Sequence, residues 1–175
     1  MKTLLSLVLL TVLTYGANFT LQSTDLAGQL ISAQEFDGFG CTGKNISPAL
    51  SWKDAPKGTK SFAITMYDKD APTGSGWWHW SLFNIPASES KIVTNASRSE
   101  LLPKGTVEGK NDYSTVGFGG ACPPKNDGFH TYVFTVYALD IEKLDLDKNT
   151  NQAVVGYMIN AHTIKKSSLV SYYKR

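Results

Sequence analysis

The residues able to do chemistry gather in two short stretches of a 175-residue chain. In 66–80, Asp68 and Asp70 precede Pro72 and a Gly-containing turn, and His79 then follows between Trp77, Trp78 and Trp80. In 117–132, a loop rich in glycine and proline, including Gly120, Pro123 and Pro124, runs into His130 and Tyr132. Two of the chain's three histidines therefore lie at expected strand starts, each beside a turn-rich loop. Histidine offers an N–H donor in either charge state, and a Gly-rich loop frees backbone N–H groups, so together they suit an anion such as phosphate or a carboxylate. Asp68 would repel that anion unless a proton is shared. Its expected roles are to orient a histidine, accept a bond from a protonated phosphate, or face an ammonium group. A zwitterionic head group would suit such a mixture, with a tryptophan stacked on its cation and the others in the core. Asp70, just ahead of Ala71-Pro72, reads as a turn cap before it reads as a ligand contact.

The same side chains could serve a hydrolase or phosphotransfer enzyme, with Asp68 and His79 or His130 as acid and base. An activated nucleophile is missing from that picture: there is no Gly-x-Ser-x-Gly, His-Glu-x-x-His or P-loop, and Ser75 and Ser81 are merely near in sequence. Binding is the preferred reading and catalysis the alternative. A metal held by Asp68 and the two histidines ranks lower, and no cofactor is expected.

Strands must position these groups. Phe62, Ile64 and Met66 alternate with Ala63, Thr65 and Tyr67, and 132–139 is a long β-branched and aromatic run; 78–85 and 168–173 are further strand candidates. Turn-forming clusters at 37–48, 54–60, 70–76, 103–112 and 117–128 separate them, as in an antiparallel sandwich. One helix is predicted over 151–165 behind Thr150 as N-cap, with Val154, Val155, Met158 and Ile159 on its apolar side and His162 as a structural histidine on that side. No repeat or linker divides 18–175, which reads as one domain. With 17 Lys and Arg against 15 Asp and Glu and no long basic run, the chain lacks the footprint of a nucleic-acid binder.

Residues 1–17 read as a signal peptide: Lys2, an apolar run from Leu4 to Leu13, then Gly16 and Ala17. That run is too short for a lasting membrane anchor. The mature chain is expected to be secreted or periplasmic, and in an oxidising compartment Cys41 and Cys122 become candidates for a disulfide, the alternative being two buried free thiols. Asn18-Phe-Thr20, Asn45-Ile-Ser47 and Asn95-Ala-Ser97 match glycosylation sequons, which in a bacterial product would be chance.

Tyr67-Asp68-Lys69-Asp70-Ala71-Pro72, Trp78-His79-Trp80, Cys122-Pro123-Pro124-Lys125 and Gly128-Phe129-His130-Thr131-Tyr132 resemble the two signature regions of the phosphatidylethanolamine-binding protein (PEBP) family, most closely its secreted bacterial, Raf-kinase-inhibitor-like branch. Asn45-Ile-Ser-Pro-Ala-Leu-Ser-Trp52 and the C-terminal helix and strand are similar as well. The resemblance implies a mainly β fold: a Greek-key β-sandwich of two antiparallel sheets with a C-terminal helix and short peripheral helices. It implies a small anion pocket in which Asp68, His79, His130 and Tyr132 take the family's polar positions. Pro123 and Trp78 would contact the ligand, while Asp70, Pro72, Trp77, Pro124 and Gly120 support it. Thr131 replaces an arginine frequent between the histidine and the tyrosine. Members are described as phospholipid binders, kinase-pathway modulators and protease inhibitors. The implied partners are thus a phosphorylated or anionic ligand, such as a phospholipid head group, and a kinase or protease; the oligomeric state, homodimer included, stays open.

Overall fold

The structure is a computed structural model and describes residues 18–175; the expected signal peptide, 1–17, lies outside the described residues. In chain order the elements are β1 (Thr20–Gln22), β2 (Leu50–Lys53), β3 (Ser61–Asp68), β4 (Trp77–Pro86), β5 (Lys91–Ile92), β6 (Val107–Glu108), β7 (His130–Leu139), α1 (Gln152–Ala161) and β8 (Thr163–Tyr173). They form two antiparallel sheets, ordered β1-β2-β5 and β6-β4-β3-β7-β8.

Strand β3 lies at the centre of the larger sheet, and its residues are apolar on both sides because both sides are covered. Phe62, Ile64 and Met66 face the small sheet and pack with Leu21, Trp52 and Phe134. Ala63, with Tyr137 and Leu139 of β7, faces the other way, onto Val155 and Ile159 of α1. Burying a phenylalanine such as Phe62 in such a core stabilises by roughly 3–5 kcal/mol relative to alanine.

Helix α1 starts one residue later than predicted. Asn151, not Thr150, is the N-cap, its Oδ1 accepting the Ala153 N–H at 2.8 Å, while the Thr150 hydroxyl is turned back onto Asp147. The helix also stops earlier, at Ala161. Residues 163–167, expected as its last turn or a link, instead open β8, which pairs with β7 from Leu139↔Thr163 to His130↔Tyr173. Ladder pairing and the β-branched pair Thr163-Ile164 outweigh a helical continuation. His162 is consequently the C-cap and not a core residue. Its Nδ1 meets Asp140 Oδ1 at 2.9 Å with the side chain partly exposed. Among the described residues α1 is the one helix; the peripheral segments form turns.

Candidate functional site

Strands β3, β4 and β7 end together, and the groups singled out above come from those ends. In the β3–β7 ladder Asp68 stands opposite Tyr132, so Asp68, Tyr132 and, two residues earlier, His130 share the face that carries Met66 and Phe134 deeper in the core. His130 Nδ1 lies 2.7 Å from Asp68 Oδ2, both side chains being nearly fully buried. The other ring nitrogen lies 3.3 Å from Asp127 Oδ2, so the ring can donate to both carboxylates only when it carries two protons. Asp68 Oδ1 accepts the Asp70 N–H at 2.9 Å. Asp70 is not the expected cap of its own turn, a part taken by Asp68; it accepts the Thr131 N–H of β7 at 2.8 Å and pairs with Lys69.

Strand β4 reaches the site through a β-bulge. Met66 is opposite Trp80, Tyr67 opposite Trp78 and Asp68 opposite Trp77, which leaves His79 as the extra residue. The bulge lets both Trp80 and His79 face inward, Trp80 into the core and His79 onto the cavity, while Trp77 shares the Asp68 face. Trp78 is thereby placed on the opposite side of the sheet, its ring 4.5 Å from that of Tyr67. The expectation that Trp78 contacts a ligand is corrected: Trp77 lines the cavity and Trp78 does not.

His79 is 2% exposed, and its Nδ1 lies 2.8 Å from Gly119 O and 3.1 Å from Gly120 O. Both are carbonyl acceptors, so Nδ1 holds the hydrogen. Burial depresses the ring's pKa from 6.5 to about 4, against the pull of the two carbonyls and of Asp68. The Gly-rich loop also departs from expectation. The N–H groups of residues 117 to 121 are all taken, by Gly109 O, Ser97 Oγ, His79 O, Asn45 Oδ1 and Gln34 O. The loop turns carbonyls, not N–H donors, toward the histidine. Asn45 holds it there, donating to Phe118 O at 3.1 Å while accepting from Gly120 at 2.7 Å. Gly120 supports the site from beneath, because a Cβ there would collide with the Gln34 carbonyl.

The resulting cavity has a volume of about 190 Å³. Asp68, His79 and His130 line it with Thr73 and Tyr113; Pro72, the Pro123-Pro124 pair and Trp77, whose buried indole N–H has no partner among the described residues, form part of its walls. Tyr132 lies under the floor, its ring centre 5.2 Å from that of His79. Its hydroxyl is close enough to feel the Asp68 charge yet forms no sound hydrogen bond; burial, then Asp68, push its pKa up, so the phenol is neutral. Tyr113, raised likewise by burial, donates to Gly120 O at 3.2 Å.

Sequence reasoning missed Phe39, Tyr113 and Asp127. Phe39 is 74% exposed at the rim with φ +58°, an unusual conformation for an aromatic residue, and contacts Trp77 and Tyr113. A phenylalanine between Gly38 and Gly40 was the only signal available, and it read as turn punctuation. The Phe39 loop is tied to the proline wall by the Cys41–Cys122 disulfide, as anticipated, and by Arg175, which donates to Gly40 O at 2.6 Å and Pro123 O at 2.9 Å. Cys122 is itself part of the cavity wall.

Residues 22–174 match the family model described as phosphatidylethanolamine-binding protein. The chain is 47% identical over 181 residues to the UPF0098 protein YbcL of Escherichia coli, covering 99% of each. It is 44% identical over 140 residues to YbhB of the same organism, covering 79% of this chain and 87% of that one. The crystal structure of YbcL, described as a new member of the mammalian PEBP family, superposes with a TM-score of 0.88 at 48% identity, covering 91% of this chain and 99% of the other.

Proposed function

The chain belongs to the phosphatidylethanolamine-binding protein family, and from that premise we propose that it is an exported, non-catalytic binding protein whose pocket takes a small phosphate-bearing or otherwise anionic group, of the kind carried by a phospholipid head group or a phosphorylated ligand. The observation that carries the reading is the grouping of Asp68, His79 and His130 at the base of one cavity of about 190 Å³. That volume is below the range of drug-sized sites and suits a head group instead of a whole lipid. Buried titratable groups cost stability, so their concentration in a cavity favours a functional reason for keeping them.

Binding is favoured over hydrolysis by where the hydroxyls point. Thr73 Oγ1 donates to Gly76 O and Ser81 Oγ accepts from Gln152 on the helix side, while the Tyr113 and Tyr132 phenols beside His79 are held neutral by burial, so no activated hydroxyl accompanies the histidines as a nucleophile. Export is supported by the disulfide, which persists in oxidising compartments. Among the described residues no helix is long and apolar enough to cross a membrane. The finer expectation of a kinase or protease partner draws on the resemblance alone.

The test is a titration with phosphate, O-phosphoethanolamine, acetate and zinc, watched through the ring resonances of His79 and His130. Oxyanions at millimolar concentration should perturb both rings, and silence from all of them would refute the pocket reading. Turnover of a phosphoester or peptide that disappears in His130→Ala would establish catalysis in its place.

A further inference from the structure

The hydrogen-bond inventory of the pocket is unusual for an oxyanion site, because it is rich in acceptors. His79 Nδ1 is committed to two carbonyl oxygens, and among the described residues no group partners Nε2. A neutral ring therefore presents Nε2 to a ligand as a lone pair. The N–H groups of residues 117–121 are consumed internally, and the donor left among the described residues is the buried, unpartnered Trp77 indole N–H in the cavity wall. No lysine or arginine lines the cavity, and both nitrogens of His130 face carboxylates. An anion with no proton to give would meet a lone pair at His79 and a carboxylate at Asp68.

We propose, building on the pocket reading above, that an oxyanion enters together with one proton shared between a ligand oxygen and His79 Nε2, so that the site selects phosphomonoesters, which can carry that proton, over phosphodiesters and sulfate, which cannot near neutral pH. The groups facing the ring are Asp68 from β3, His130 and Tyr132 from β7, and Tyr113 from the loop after β6. Asp68 favours a proton on His79, whereas burial and His130 oppose it; the two phenols stay neutral across the range of interest. In the bound state the proton comes either from the ligand or from water, and in both cases one proton more is held than by a free ring and a free dianion. A phosphodiester lipid head group and a free phosphomonoester are thus distinguished by chemistry at this one atom.

A phosphomonoester loses its second proton near pH 6, whereas a proton placed on free His79 is lost near pH 4. Supplying the proton from the ligand is then easier by about two pH units, or about 100-fold in affinity at pH 7.5. The experiment is calorimetric titration of the full mature chain with O-phosphoethanolamine, glycerophosphoethanolamine and sulfate, at pH 7.5 and 5.0, each in two buffers of different ionisation heat. O-phosphoethanolamine should bind about 100-fold more tightly than the other two at pH 7.5, taking up close to one proton there and close to none at pH 5.0. Sulfate and the diester should take up about one proton at both. His79→Gln, which offers an amide N–H near the Nε2 position, should level the three affinities and abolish the uptake. If that variant does not fold, the proton counts of the wild-type chain decide alone. Equal affinities at pH 7.5 with no proton taken up would overturn this inference and leave the pocket reading standing. Absence of binding by all three even at pH 5.0 would sink both.

Discussion

Burying His79 as a neutral ring makes the protein's stability depend on pH in a calculable way. The ring's pKa is 6.5 when unfolded and about 4 when folded. The unfolded chain therefore binds the proton more readily, and stability falls as pH falls. The contribution is complete above pH 6.5 and is withdrawn progressively down to about pH 4. A difference of 2.5 pH units (6.5 − 4) corresponds to about 3 kcal/mol in full, and to about 2 kcal/mol by pH 5. Because His79 is 2% exposed, little of this is lost to solvent screening. His79→Gln puts a polar amide in place of the imidazole and cannot titrate, so the difference between wild type and variant isolates this ring from the rest of the molecule's titration. Urea unfolding of both proteins should be followed from pH 7.5 to 4.5. The wild type should lose about 2 kcal/mol more than the variant by pH 5, most of it below pH 6.5. Parallel curves for the two proteins would refute the assignment of a buried, Nδ1-protonated neutral ring.

Four further outcomes follow from the same geometry. The disulfide closes a loop of 81 residues, for which the chain-entropy relation gives about 4.5 kcal/mol, so Cys41→Ala/Cys122→Ala should lower Tm by roughly 10–18 °C and weaken ligand binding through the freed Phe39 loop; a drop of under 3 °C would count against it. Asn45→Ala strands a buried carbonyl and a buried N–H, costing about 2–5 kcal/mol in urea unfolding, and should also broaden the His79 ring signals. Trp77→Ala should abolish oxyanion binding while Trp78→Ala leaves it within threefold, and a reversed order would show that the bulge is misplaced. Asp68→Ala should destabilise by about 3–5 kcal/mol, because His130 is left with one distant carboxylate, whereas Asp68→Leu/His130→Leu should recover most of that in thermal melts and bind no ligand.

Much of this architecture was legible because burial writes itself into periodicity. The alternation at 62–67 and the aromatic run at 132–139 mark core strands, and the structure covers them with a second sheet and a helix. The site's polar members were legible because histidine is scarce and Asp68, His79 and His130 sit at element ends. What stayed hidden was set by tertiary pairing. A bulge shifts side chains by one position without altering any residue type, so Trp77 and Trp78 could not be told apart by alternation. The hydrogen-bond partners of a glycine loop lie on distant segments, here Gln34, Asn45, His79 and Ser97, so its N–H groups looked free. Residues 163–167 looked like a helix end because the β7 edge that captures them is remote in sequence.

The pocket is best understood as the open end of the core, not as a separate cleft. Asp68, Tyr132 and His130 continue the faces on which Met66 and Phe134 make the sandwich interior, and the bulge adds His79 to the same layer. At these last ladder positions titratable groups stand where packing alone would place leucine or phenylalanine. That placement explains three properties at once: the groups are buried, burial sets the His79 proton, and their hydrogen bonds are largely satisfied by the scaffold itself. A site so pre-satisfied has few donors left for an arriving anion. On the proposed reading, selectivity then turns on the uncommitted lone pair of His79 Nε2 and the unpartnered Trp77 indole N–H, and on how far the Phe39 rim, the disulfide and Arg175 keep water from competing for them.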